Sequence, residues 1–452
     1  MVFEDTICAP ATIAGTGAIT VIRVSGASAF HIADTVIRCK NGTISDSAGY
    51  VIKFGEVSDD GQTLDEVLVS IFRAPHSYTG EDSVEISCHA SRYICSRIME
   101  LLCLEGARPA SPGEFTQRAF ANGKMDLAQA EAVADVIASQ SKASLRVAMS
   151  QLKGGISKEL HVIREQLLEI TSLLELELDF SEEDVEFADR SRLMGLVAEA
   201  SSHITRLADS FSRGNAIKNG VPVAIIGATN TGKSTLLNAL LGEDRAIVSD
   251  IAGTTRDTIE ETLNIEGNLF RFIDTAGIRE TDETIEKIGI ERSLKALSQA
   301  TIVIGVVDGT LPASEFETAV KDIRSKVDFD SQHLILVRSK SDLFGDLKPL
   351  DGILDISAAE GRNLDTLKAS IASLVSDSGE DEVLISNARH HSELLLGLSS
   401  LKRVTQALEA DIPSDLVAQD LRDALYHLGT ITGEISTDEV LGNIFAHFCI
   451  GK

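Results

Sequence analysis

The run Gly227-Ala-Thr-Asn-Thr-Gly-Lys233-Ser234 has the spacing of a phosphate cradle. Glycines let backbone N–H groups wrap phosphate oxygens, Lys233 brings a point charge to the β/γ oxygens, and the Ser234 hydroxyl can ligate Mg²⁺. The pattern starts where the apolar run Val221–Ile226 stops and is followed by the helical Leu236-Leu-Asn-Ala-Leu240. Strand, loop and helix thus come in the order that such a cradle needs, and the chain is expected to bind a nucleoside triphosphate.

Later segments narrow the base. Asp274-Thr275-Ala276-Gly277 ends the strand-like run Leu269–Ile273, which places an acid near the metal and a glycine amide near the γ-phosphate. Between these two motifs, Gly253-Thr254-Thr255-Arg256-Asp257 can supply a second metal-ligand hydroxyl, that of Thr255. Ser339-Lys340-Ser341-Asp342 follows the apolar Leu334–Val337, and a carboxylate there can accept the paired N–H donors of a guanine edge. Ser357-Ala358-Ala359 follows Ile353–Ile356 and fits a last base-contacting loop. These five elements, in this order, predict a guanine-nucleotide-binding domain.

Two departures from the usual GTPase pattern carry consequences. The base loop has Ser339 where Asn is usual, so a side-chain amide that braces the guanine site is missing. A neutral hydrogen bond is worth about 1 kcal/mol and a charge-assisted pair from Asp342 about 1.5–3; guanine specificity is therefore expected to persist but to be looser. The second departure is Ile278, in the place of the glutamine that orients the attacking water in Ras. Isoleucine cannot hold water. Either hydrolysis is very slow or another group serves, and the acidic stretch Arg279–Lys287 is either the source of that group or a solvated loop.

These residues need elements to hold them. Residues 1–119 mix short β-rich runs with glycine turns and suit an α+β domain. Over 120–216 the pattern turns helical, with Leu160, Ile163, Leu167, Ile170, Leu174 and Leu178 at three- and four-residue steps opposite Lys158, Glu165, Glu169 and Glu175. Strand–helix alternation, the mark of a mainly parallel sheet, occupies 217–378. An acidic linker starts at Ser376, and helical periodicity returns within 379–452. The fold class is thus multidomain α/β plus α, with a Ras-like P-loop domain inserted into a helical one.

Composition bounds the function. The 452 residues suffice for about three domains, and the net charge of −28 argues against a general nucleic-acid binder. Six cysteines, Cys8, Cys39, Cys88, Cys95, Cys103 and Cys449, show no Cys-x-x-Cys or metal spacing and read as reduced thiols of a cytoplasmic protein. The acidic start Met-Val-Phe-Glu-Asp5 is unlike a signal peptide, and no run approaches the ~18 apolar residues of a membrane span.

Taken together, Asn230 in the cradle, Gly253–Asp257, Asp274–Arg279, Glu286–Arg292 and the ending Phe448-Cys-Ile-Gly-Lys452 resemble the MnmE (TrmE) family of tRNA-modification GTPases. So do Asp5–Ile7, Arg23–Gly26, Ser77–Asp82, Pro112–Phe115, Arg118–Phe120, Lys124 and Asp126–Glu131. The resemblance runs from about residue 5 to 452. It implies GTP binding through Asn230, Thr231, Gly232, Lys233, Ser234 and Thr235; through Ser249, Asp250, Ile251, Ala252, Gly253, Thr254 and Thr255; through Asp274, Thr275, Ala276 and Gly277; and through Ser339, Lys340, Asp342, Ser357 and Ala358. Ser234 and Thr255 would hold Mg²⁺. Asn230, Ser249, Ile251 and Thr254 would hold a K⁺ ion where an arginine finger would otherwise place its charge. Glu286 would be the water-orienting acid, with Lys233 and Thr254 completing the catalytic set.

For the N-terminal domain the resemblance implies a folate-binding-like fold that takes a tetrahydrofolate derivative (5-formyl- or 5,10-methylene-tetrahydrofolate) at a homodimer interface. Arg23, Glu85, Lys124 and Lys452 fall on the folate-contacting positions, and cations beside a carboxylate acceptor suit that ligand. Where the family commonly shows Gly-His-Gly-Gly, this chain reads Cys88-His89-Ala90-Ser91, which alters backbone approach there. The implied activity is K⁺-stimulated GTP hydrolysis coupled, with the flavoprotein partner MnmG (GidA), to installation of an aminomethyl-type group on C5 of the tRNA wobble uridine. With so acidic a chain, a local patch or a basic partner must hold the tRNA. Cys449 is either an activated tail nucleophile or a small apolar anchor beside Phe448. An RNA-binding GTPase of the Era or EngA type shares the Asn cradle and Gly-Thr-Thr-Arg-Asp, but no tandem cradle or basic Gly-x-x-Gly loop is present. A purely regulatory switch is the third reading.

Overall fold

The computed structural model describes residues 3–13, 15, 17–179, 190–242, 260–273, 297–344, 348–375, 382–446, 448–449 and 451. In chain order the first half runs β1 (Thr6–Pro10), β2 (Ile19–Ser25), α1 (Ala29–Val36), β3 (Ile37–Cys39), β4 (Val51–Asp59), β5 (Gln62–Phe72), β6 (Ser83–His89), α2 (Arg92–Leu104), β7 (Ala107–Pro109), α3 (Glu114–Ala121), α4 (Leu127–Ala138), α5 (Lys142–Leu152), α6 (Gly155–Asp179), α7 (Arg190–Asp209) and α8 (Phe211–Asn219). The second half runs β8 (Val221–Ile226), α9 (Lys233–Gly242), β9 (Glu261–Ile265), β10 (Asn268–Phe272), β11 (Ile302–Asp308), α10 (Ala313–Lys326), β12 (His333–Ser339), β13 (Ile353–Asp355), α11 (Leu364–Ser373), α12 (Ala388–Glu409), α13 (Ser414–Thr432) and α14 (Asp438–Phe445). Two compact units emerge. One comprises residues 1–134, 152–187 and 409–452, the other 135–151 and 188–408, so the helical segments divide between them.

The first unit holds a seven-stranded sheet in the order β3-β4-β5-β6-β2-β1-β7. It is antiparallel except where β1 meets β7. Period-two alternation decides its faces: Val67, Val69 and Ile71 of β5 are buried with Ile22, Val24, Val84 and Ile86, in a core shared with α1 and α2. Arg23 and Glu85, at the odd positions, therefore point to the opposite face. The β4–β5 hairpin turns on Asp60-Gly61, both at positive φ, as a two-residue turn requires.

In the same unit α6 packs along α13. Leu160, Ile163, Leu167, Ile170 and Leu174 are all at most 1% exposed, as their spacing predicts, and Val417, Leu421, Ala424 and Leu428 are fully buried. The side chains of Glu175 and Leu178 lie outside the described residues. Leu441, Phe445 and Phe448 gather on Leu127 and Ala130 of α4, which seats the chain's end on this unit.

The second unit contains a six-stranded sheet, β13-β12-β11-β8-β10-β9, parallel except for β9. Its central strands read as apolar runs because both faces are covered. Parallel strands place their carboxyl ends on one edge, and this is where the cradle and the base loops emerge.

Candidate functional site

At the nucleotide end of the second unit, the cradle follows β8 and ends at the first turn of α9, whose unpaired amides favour an anion. Gly227 has φ +155°, and a Cβ there would lie 2.2 Å from the Val306 carbonyl oxygen, so the loop can cross β11 only as glycine. Asn230, at φ +60°, is exposed. Lys233 Nζ donates to the carbonyls of Gly227 and Ala228 at 2.9 and 2.7 Å. Burial pushes its pKa down. Among the described residues the ammonium is held by backbone carbonyls at the start of α9, a position that suits a triphosphate.

The base loops are tied to the cradle and to each other. Ser339 Oγ donates to the Thr231 carbonyl at 2.7 Å, with the Val307 carbonyl at 3.2 Å. The brace expected to be lost with asparagine is therefore rebuilt by a shorter side chain reaching the P-loop directly. Lys340 Nζ donates to Asp308 Oδ2 at 2.5 Å, which fixes the lysine stem across the site. Burial would raise the pKa of Asp308, but hydrogen bonds from Lys340 and Thr310 prevail and hold it low. Ser357, fully buried, donates to Asp342 Oδ1 at 2.6 Å, joining the last two loops. That bond, with the residue's own amide, keeps the exposed Asp342 carboxyl below its ordinary pKa and ready to accept N–H donors.

In the first unit, Arg23 and Glu85 are directly opposite on β2 and β6. Arg23 Nε and Nη2 both donate to Glu85 Oε1, at 3.0 and 2.8 Å. The guanidinium lies over the Tyr78 ring at 5.1 Å and near that of Phe115 at 5.6 Å. Lys124 Nζ donates to the Pro75 carbonyl at 2.9 Å, and its stem lies beside Gly80. One loop, 75–82, therefore bears on both Arg23 and Lys124. The chain's end comes to the same region: Gly113 N–H donates to the Cys449 carbonyl at 3.3 Å. Gly451, at φ +97°, is so close to Pro10 that a Cβ would sit 2.2 Å from its carbonyl oxygen. Pro10 adjoins Ala9, the β1 partner of Arg23.

Behind this cluster, Arg118 is fully buried and bonds Asp5 Oδ1 at 2.6 Å, Glu114 Oε1 at 3.0 Å and Glu81 Oε1 at 3.1 Å. Arg108 adds bonds to Glu114 and Asp5, each at 2.6 Å. Four stretches singled out in the sequence thus meet in one ionic network, which holds the 75–82 loop and the first strand in place.

Similar proteins decide the family. A family model described as GTP-binding protein TrmE N-terminus matches residues 6–124, and one described as MnmE helical domain matches residues 127–449. The tRNA modification GTPase MnmE of Bacteroides fragilis strain ATCC 25285 is 51% identical over 467 residues, covering 99% of this chain and 100% of that protein. Its namesake from Flavobacterium johnsoniae is 49% identical over 468 residues, with all of both chains covered. The chain belongs to the MnmE family of tRNA modification GTPases. A solved structure of Era with MgGDPNP and part of 16S ribosomal RNA is 28% identical over 39% of this chain and 65% of that one. Its TM-score is 0.25.

Membership makes this chain a GTPase, and the described part of the nucleotide site suits GTP with Mg²⁺. Several family positions lie outside the described residues: Ser249, Asp250, Ile251, Ala252, Gly253, Thr254, Thr255, Asp274, Thr275, Ala276, Gly277, Ile278, Glu286 and Lys452. Cys449 is exposed, so it is not the buried anchor of the tail; Phe448, at 9% exposure, fills that role. Asp308 and the aromatic bed of Arg23 escaped the sequence reading. The only signal for Asp308 was an acid closing the apolar run of β11. Among the described residues no helix is long and apolar enough to cross a membrane.

Proposed function

We propose that this chain hydrolyses GTP with Mg²⁺ and K⁺ and, with the flavoprotein MnmG, uses a tetrahydrofolate one-carbon unit to build the aminomethyl-type group on C5 of the tRNA wobble uridine. The observation that carries the reading is the return of the chain's end to Pro10, beside Arg23 and Glu85. Arg23 and Lys124 suit the carboxylates of a folate, and Glu85 suits the paired N–H donors of its pterin. When bound, the folate supplies the one-carbon unit; Arg23, Glu85 and Lys124 bind and orient it. The protein acts as a homodimer in the cytoplasm, and so acidic a chain leaves much of the tRNA surface to its partner.

In the nucleotide site Ser234 and Thr255 hold Mg²⁺, while Asn230, Ser249, Ile251 and Thr254 hold K⁺. Glu286 orients the water that Ile278 cannot. The positive φ of Asn230 and its exposure at the cradle support its part.

Mass spectrometry of wobble uridine in total tRNA after deletion of the gene tests the assignment. The C5 modification should vanish; unchanged modification with intact GTPase activity would favour an Era-like or purely regulatory role. Hydrolysis should also run markedly faster in K⁺ than in Na⁺ at equal ionic strength, with the difference lost in Asn230→Ala.

A further inference from the structure

The base loop counts its donors in a way that sets specificity. An asparagine offers two N–H donors, one for a P-loop carbonyl and one for a base; a serine hydroxyl offers one proton. Here that proton is directed inward. Ser339 is 5% exposed, and its hydroxyl stands 2.7 Å from the Thr231 carbonyl and 3.2 Å from that of Val307, both acceptors. Guanine N7 is likewise an acceptor only, so Ser339 has nothing left to give it. The next residue is also engaged, for Lys340 Nζ lies 2.5 Å from Asp308 Oδ2. Asp342 is exposed and accepts Ser357 Oγ on Oδ1 at 2.6 Å, which aims the carboxylate while leaving lone pairs for the N1–H and 2-amino donors of guanine.

We propose that Ser339 is a specificity-determining residue that makes this GTPase read guanine through its Watson–Crick edge and leave N7 unread. The inference rests on the GTP-binding reading and adds which edge of the base is recognised. Ser339 keeps the structural half of the asparagine's work, bracing the P-loop, and drops the base-reading half.

Competition against a fluorescent GDP, using the full-length protein with Mg²⁺, separates the two edges. GTP and 7-deaza-GTP should bind within twofold of each other. Inosine triphosphate, which lacks the 2-amino group, should bind about tenfold or more weakly, because a charge-assisted bond is lost. In Ser339→Asn, which restores a second donor, 7-deaza-GTP should become about fivefold weaker than GTP. Wild-type protein binding 7-deaza-GTP at least fivefold more weakly than GTP overturns the N7 inference alone. Equal binding of inosine triphosphate and GTP overturns the Watson–Crick half. Failure to bind GTP at all would instead remove the GTPase reading beneath both. Should Ser339→Asn not fold, the wild-type ratio decides.

Discussion

At the nucleotide end of the β8–β13 sheet, Lys233, Asp308, Ser339 and Asp342 lie at or just beyond the carboxyl ends of parallel strands, whereas around Arg23 the groups come from two antiparallel strands, a loop and the far end of the chain. The first arrangement is modular: each of these residues sits at or beyond a strand's carboxyl end, and the sheet brings those ends to one edge. The second is lateral, since strand register pairs Arg23 with Glu85 and the docking of α14 and Phe448 brings the tail near. A modular site should tolerate damage elsewhere, whereas a lateral one should fail whenever its supports fail.

The largest expected effect comes from the support with the most charge. Removing Arg118 leaves Asp5, Glu81 and Glu114 without their shared partner, and loss of one member of a buried ion network costs about 3–5 kcal/mol. Arg118→Ala should destabilise the first unit on that scale in chemical unfolding while GTP still binds. Equal loss of GTP affinity would break the distinction between the sites.

Within the nucleotide site, Glu286→Ala should lower kcat by about 10²-fold with GTP affinity nearly unchanged, as for a positioned acid–base group that does not touch the base. Turnover at the wild-type rate would make Glu286 a bystander. In the lateral site, Arg23→Ala should weaken 5-formyl-tetrahydrofolate by about 1.5–3 kcal/mol in calorimetry and leave GTP hydrolysis unaltered. Undiminished folate binding would move that site elsewhere.

The same contrast explains what the sequence made legible. The strand before the cradle, β12 before the base loop and β13 before Ser357-Ala358 were readable because each motif is local and follows its own apolar run. The helix α6 was readable from its period. The Arg23 cluster was not: nothing in spacing relates residue 23 to residue 85 or to the tail, and only resemblance connected them, because antiparallel register and tail docking are tertiary facts. Ser339 was read for the amide it lacks; that its hydroxyl reaches Thr231 depends on how closely the two loops approach. Residue type alone leaves Cys449 open between a tail nucleophile and an apolar anchor, and the bulkier Phe448 beside it takes the buried place.

The smallest effect is a pH dependence in the lateral site's support. Burial pushes the Glu114 carboxyl up, but bonds from Arg108, the Ser111 amide and Arg118 outweigh it and hold the pKa below its ordinary 4.5. Asp5 is likewise held low against burial by Arg108 and Arg118. A carboxyl whose folded pKa lies below its unfolded one stabilises the fold fully above the unfolded value and loses that contribution as pH falls through the folded one. The first unit should therefore keep its stability down to about pH 4.5, the ordinary value for Glu114, and lose it progressively below. Calorimetric Tm measured from neutral pH downward checks this, with Glu114→Gln as the control. The variant should start from a lower Tm and decline less steeply in the acid range, since it has no carboxylate there to protonate. An equal slope in both proteins would show that the network's acid sensitivity does not reside in Glu114, and a flat Tm in the wild type would show that the network contributes no ionic stability to the lateral site.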